Sequence, residues 1–322
     1  MDGLSPSAPP LAPDRRTGLI IFGIVQIILG LFAAGFVLIV AAGHELARQS
    51  GAKPSEAALA SAVVVYGLGA AFFLTTGIGS IRCRRWARAL TVVASALWMV
   101  AGVVGGLMIV VVMPRILSAQ GQATTMATTG CVAGVVLAGG IILPLALFLF
   151  YRSENVRLTC ERIDRKARWT DRVPLPVLAV ILGLAFGALA LIANLASPSF
   201  VILGRNVTGA TAAITLFALA GLCAVLAVQL YRLKESAWWT LILLQLIGVA
   251  IAITTIMTSD VEKMVPAGTP AEVAAIYRDP LFLAVFAATW IAYFAFLVYL
   301  RRFFILRHEP RTRRADQSTF SE

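Results

Sequence analysis

Eight long apolar runs, separated by short polar stretches, organise this chain. They lie at about Gly18–Gly43, Ala57–Ile81, Ala89–Met113, Thr128–Tyr151, Pro174–Ala196, Ala210–Tyr231, Ala237–Met257 and Pro280–Leu300. Each holds the roughly 20 apolar residues that carry an α-helix across a hydrocarbon core about 30 Å thick. A helix satisfies its own backbone hydrogen bonds, which lipid cannot do. The pattern predicts an all-α, polytopic membrane protein with eight transmembrane helices. The first run is longer than a signal-peptide core of about 7–15 residues, so it reads as a retained anchor.

Charge sharpens this picture. Only 13% of residues are charged and 59% are hydrophobic, where a soluble chain is roughly 25% charged. All 27 basic and 16 acidic residues can be placed outside the eight runs. With the N-terminus inside, the inner segments hold 21 basic and 10 acidic residues, and the outer loops hold 6 of each. Basic residues gather on the cytoplasmic side of membrane proteins. The count therefore places both termini in the cytoplasm. The Ala- and Arg-rich bias points to a bacterial host, and so to the inner membrane. Residues 1–17 read as a disordered tail and residues 152–173 as a basic linker between halves. Residues 303–322 read as a basic tail.

The two halves, residues 18–151 and 174–302, resemble tandem copies. Ile27-Ile28-Leu29-Gly30-Leu31 matches Val180-Ile181-Leu182-Gly183-Leu184, and Trp86 falls on Trp239 at the same spacing. Ala146-Leu147-Phe148-Leu149-Phe150-Tyr151-Arg152 resembles Ala295-Phe296-Leu297-Val298-Tyr299-Leu300-Arg301. Four crossings per copy is an even number, so the two four-helix repeats are expected to be parallel.

Chemistry-bearing groups are sparse. Gln26 and Gln245 fall inside runs at similar depth, and a buried amide needs a hydrogen-bond partner. With Tyr66, Trp98, Trp290 and Tyr293 they form a candidate intramembrane polar site; bonds between helices are the plainer use of such amides. Arg82, Arg84, Arg85, Arg162, Arg165, Lys166, Arg168, Arg301 and Arg302 are candidate contacts for anionic lipid or a partner membrane protein. They sit at helix ends beside aromatics such as Tyr151, Tyr231, Trp238 and Trp239, which argues against a nucleic-acid partner. Glu161 and Asp164 read as part of a solvated face among these arginines.

The four cysteines lack metal-ligand spacing and no catalytic motif is present, so no metal, cofactor or enzyme activity is expected. Gly130 with Gly134, and Gly183 with Gly187, predict close helix packing. Pro144 predicts a kink. Thr269-Pro270-Ala271-Glu272 predicts a short amphipathic helix in the longest outer loop, and Asp279 a cap for the last span. The reading that follows is a non-catalytic membrane component that binds a partner protein or lipid. The alternative is an uncoupled transporter or channel for a small neutral or apolar solute.

Overall fold

The computed structural model describes residues 14–51, 56–119, 130, 134–135, 137–196, 198–202, 205–258 and 279–305. Among these the chain is all-α apart from one hairpin. The helices are α1 (Arg16–Gln49), α2 (Glu56–Ile81), α3 (Arg85–Ala119), α4 (Leu143–Arg152), α5 (Glu154–Ile163), α6 (Leu175–Ala193), α7 (Gly209–Tyr231), α8 (Glu235–Thr258) and α9 (Pro280–Ile305). Seven of them are long and apolar enough to cross a membrane, namely all except α4 and α5. With the π-helical turn before it, α4 forms a shorter apolar helix over Ala138–Arg152. The outer half of the expected fourth run lies mostly outside the described residues. So does the short helix expected at Thr269, and so do most of both tails.

Local chemistry explains the ends and irregularities. The Asp279 carboxylate accepts the backbone N–H of Leu281 at 2.8 Å, so it caps α9 as expected. Pro144 stands buried in the first turn of α4, directly after the π-helical turn Ala138–Ile142. Proline has no N–H to offer the carbonyl four residues earlier, here that of Gly140. Gly102 of α3 packs against that same carbonyl, and a side chain at position 102 would collide with it.

Between α6 and α7 lies an antiparallel hairpin that the apolar pattern does not predict. Strand β1 (Ser199–Ile202) pairs with β2 (Arg205–Thr208), Phe200 opposite Val207. β-Branched residues on both sides of Gly204 are the signal that could have revealed it.

Packing is tightest where glycines remove side chains. A Cβ on Gly23 would lie 2.9 Å from the Gly77 carbonyl, and one on Gly77 would lie 2.8 Å from the Gly23 carbonyl. Gly30 packs as closely against Leu74. Lipid is as apolar as leucine, so close backbone approach does much of what water exclusion does in soluble cores. The expected glycine pairs behave otherwise: among the described residues, nothing lies within 4 Å of a Cβ built at Gly130, Gly134, Gly183 or Gly187.

The helices pack as neighbours α1–α2, α3–α4, α6–α7 and α8–α9, with α3 touching α6 and α9. Ala89 and Val93 of α3 meet Leu178 of α6 in a buried seam joining the halves. Buried residues concentrate toward one end of the bundle, where Leu19, Leu147, Tyr151, Leu230, Leu300 and Phe304 lie. At the other end Leu38, Ile39, Val135, Ile214 and Met257 are exposed.

Two turns share one geometry. After α2, the N–H of Arg84 bonds to the carbonyl of Gly79 and that of Cys83 to Ser80. After α7, Lys234 bonds to Gln229 and Leu233 to Leu230. Both are Schellman caps. Both place a non-glycine residue in the left-handed region, Cys83 at φ 51° and Leu233 at φ 53°.

Candidate functional site

Two regions gather the sequence-predicted residues, an arginine-rich face and a polar interior in the first half.

The face is organised by one buried acid. Asp164 ends α5 and is only 4% exposed. Its carboxylate accepts both Arg168 Nε and NH2 at 3.3 Å and the backbone N–H of Arg85 at 3.4 Å. Arg84 stands 3.7 Å away. Burial alone would raise the Asp164 pKa, but the Arg168 and Arg85 hydrogen bonds and the nearby cations outweigh it and hold the carboxyl below its ordinary value. Arg85 also reaches Glu161 at 3.3 Å and Asp171 at 3.5 Å. Arg88 Nε caps the end of α4 by donating to the Tyr151 carbonyl at 3.0 Å. The expectation of a solvated acidic face is thus corrected: Asp164 is an internal hub. A lone buried carboxylate would be costly, and the guanidinium groups of Arg84 and Arg168 with the Arg85 backbone N–H offset that cost. Sequence separation hid part of this, because Arg84 and Arg85 come from the α2–α3 turn, whereas Arg168 lies only four residues from Asp164 in the linker.

The same face collects other parts of the chain. Arg162 pairs with Asp14 at 3.2 Å, and the backbone N–H of Arg15 donates to the Thr159 hydroxyl at 3.3 Å. Trp169 of the linker packs on Tyr231 at the end of α7. Arg301 lies over the rings of Trp238 and Trp239 at 5.6 and 5.9 Å. Arg302 lies over Tyr299 at 3.8 Å and also donates to its hydroxyl. Trp239 is exposed, whereas Trp238 is buried and donates its indole N–H to the Leu297 carbonyl at 2.7 Å. The two tryptophans expected side by side at the surface therefore do different work.

The candidate cations divide accordingly. Arg84, Arg85, Arg162 and Arg168 are neutralised by acids of the same chain. Arg301 and Arg302 have aromatic partners and no acid within ion-pair distance among the described residues. Arg82, Arg165 and Lys166 likewise make no ion pair there. Cys160 and Cys83 are buried beneath this face, and burial pushes the Cys160 thiol up to about 12. Such thiols are protonated and inert at neutral pH.

The interior site is partly assembled. Gln26 is 1% exposed and its Nε2 donates to the Thr91 hydroxyl at 3.2 Å, while its Oε1 accepts nothing. It lines a small cavity with Thr76, Thr91, Ser95, Phe73 and Trp98, in which the centre of a water molecule has about 10 Å³ to occupy. On the side toward the arginine-rich face, the Tyr151 hydroxyl is within reach of Ser80 and Gln26. Yet Tyr151 Oη and Ser80 Oγ each lack a hydrogen bond of normal geometry.

Of the other candidates, only Trp98 joins Gln26 in this cavity. Gln245 is 7% exposed in the second half, with its Nε2 unpartnered, and does not line it. Tyr66 stacks on Phe36 at 5.5 Å. Trp290 packs on Phe286 and against Gly248. Tyr293 is near Cys223. Sequence reasoning expects the Thr76 hydroxyl to return to its own helix, as it does by donating to the Phe72 carbonyl, but passed over Ser80, Thr91 and Ser95, although the spacing by four of Thr76 with Ser80 and of Thr91 with Ser95 was a usable signal.

No group of three or more His, Cys, Asp or Glu that could hold a metal occurs among the described residues. No family model, no curated protein and no solved structure matches this chain.

Proposed function

We propose that this chain is a multi-pass component of the bacterial inner membrane whose non-catalytic role is to bind anionic lipid at its cytoplasmic face. The observation that carries the reading is the division of its arginines. Arg84 and Arg85 of the α2–α3 turn and Arg157, Arg162 and Arg168 of the linker pair with the chain's own acids, whereas Arg82 and Arg165 make no ion pair among the described residues. Arg301 and Arg302 instead stand on exposed aromatic rings, with no acid partner among the described residues. Aromatic rings favour the headgroup level of a membrane, and a nearby Lys or Arg gains about 1 kcal/mol from anionic lipid.

The proposed architecture is eight crossings arranged as two tandem, parallel four-helix units with both termini inside. Parity supports it. Ion pairs join the residues before α3 to those after α4 and tie Asp14 to the linker. Contacts join the linker to the end of α7, and the start of α8 to the end of α9. All these points share a face, so an even number of crossings separates each from the next. The matched caps at Cys83 and Leu233 support the duplication.

A partner membrane protein on the same face remains a second occupant. The solute-carrier alternative has less support, because the Gln26 cavity has room for about one water and excludes Gln245.

Native mass spectrometry of the full chain, released from nanodiscs of mixed anionic and zwitterionic lipid, tests the reading. The wild type should retain anionic lipid selectively. Arg301→Gln with Arg302→Gln should weaken retention by about 2 kcal/mol, roughly thirtyfold. Arg157→Gln should not, since Arg157 already pairs with Glu154 and Glu161. Equal retention of both lipid classes would contradict lipid selectivity. A stoichiometric second protein would favour the partner reading.

A further inference from the structure

We propose that the first half contains a binding site for one internal water molecule at Gln26, between α1, α2, α3 and α4. Four observations carry it.

The first is hydrogen-bond inventory. Thr76 donates its only hydroxyl proton to the Phe72 carbonyl at 2.8 Å, and Ser95 donates its own to the Thr91 carbonyl at 2.7 Å. Gln26 Nε2 serves Thr91. What these groups still offer is the whole of Gln26 Oε1 as an acceptor, beside the second Gln26 N–H and the Thr91 hydroxyl proton as donors. The site therefore suits a small occupant that both donates and accepts, as water does.

The second is size. About 10 Å³ open to the centre of a water-sized sphere corresponds to a single water. The third is energetic. A buried acceptor left without a donor is destabilising, and a water bridging it to other polar groups removes that penalty.

The fourth is a comparison within the chain. Aligned on the matched caps at Cys83 and Leu233, 150 positions apart, rather than on Trp86 and Trp239, Thr76, Ser80 and Thr91 fall on Leu226, Leu230 and Leu241, all buried in the apolar core of the second half. A leucine core is thus workable in this framework, and the polar set of the first half is not a packing requirement. A sodium ion fits less well. The lining offers few oxygens, all neutral, and Phe73 and Trp98 close the remaining sides, whereas a cation seeks an oxygen shell on every side. Tyr151 and Ser80 extend the polar path toward the arginine-rich face.

Radiolytic hydroxyl-radical footprinting of the full chain in nanodiscs, read by mass spectrometry, tests the site. Radicals formed from a resident water oxidise the side chains beside it. Trp98 should be oxidised several-fold faster than Trp290, which packs on Phe286 in the second half. Gln26→Leu and Thr91→Val should each bring Trp98 down to the rate of Trp290, with helicity retained. Replacing sodium by choline should change nothing. Equal oxidation of Trp98 and Trp290 in the wild type would overturn the proposal, whether or not the variants fold. Sodium-dependent protection of Trp98 would overturn it in favour of a cation.

Discussion

Asp164 is where the arithmetic of this protein is most visible at the residue scale. One carboxylate, 4% exposed, gathers Arg84, Arg168 and the Arg85 backbone. Its pKa is lowered from the ordinary 3.8. A group with a depressed folded pKa contributes stability that is present above its unfolded pKa and lost as pH falls through the folded one. Asp164→Asn should therefore lower the thermal midpoint at neutral pH. The gap between wild type and variant should close as pH falls below 3.8. A gap that stays constant with pH would show that the charge on Asp164 contributes nothing. The sequence made the arginines legible as a basic surface, because composition and position suffice for that. It did not make the hub legible, because which arginine meets which acid depends on how the linker folds back over the α2–α3 turn.

At the scale of elements, apolar periodicity located the long helices well. Length and hydropathy alone decide whether a segment suits a bilayer. The hairpin at Ser199–Thr208 was hidden because it falls in the short stretch between two apolar runs and its second strand, Arg205–Thr208, is mostly polar. Glycine was misread for another reason. The spacing of Gly183 and Gly187 resembles a packing motif, yet both face open space, while Gly23 and Gly77, on different helices, let α1 and α2 touch backbone to backbone. A motif within one helix cannot say whether a neighbour lies across from it. Gly77→Val should thus force α1 from α2 and cost roughly 1–3 kcal/mol, as overpacking does. Gly183→Val should shift the thermal midpoint in nanodiscs little. Equal effects of the two substitutions would mean that the α1–α2 contact is not the one that counts.

For the whole molecule, the organising feature is a single face. The N-terminal segment, the α2–α3 turn, the linker, the end of α7, the start of α8 and the end of α9 all meet there. The buried core leans toward it, and the opposite end presents exposed apolar side chains. The sequence anticipated this asymmetry through charge count alone, since basic residues accumulate where helices end on one side. It did not anticipate that the two glutamines would be used separately. Gln26 joins hydroxyls from α2 and α3, while Gln245 is buried in α8 and does not line that cavity.

The most direct test of the central claim is sidedness. Single cysteines can be placed in a cysteine-free background at Ser50, Arg82 and Lys166, three exposed positions, and treated in intact cells with a membrane-impermeant maleimide. The account predicts labelling at Ser50 from outside, and labelling at Arg82 and Lys166 only after the membrane is opened. Labelling of Lys166 from outside would mean that the segment ending in α4 does not cross. Eight crossings, the shared cytoplasmic face and the lipid-binding role built on it would then all be contradicted.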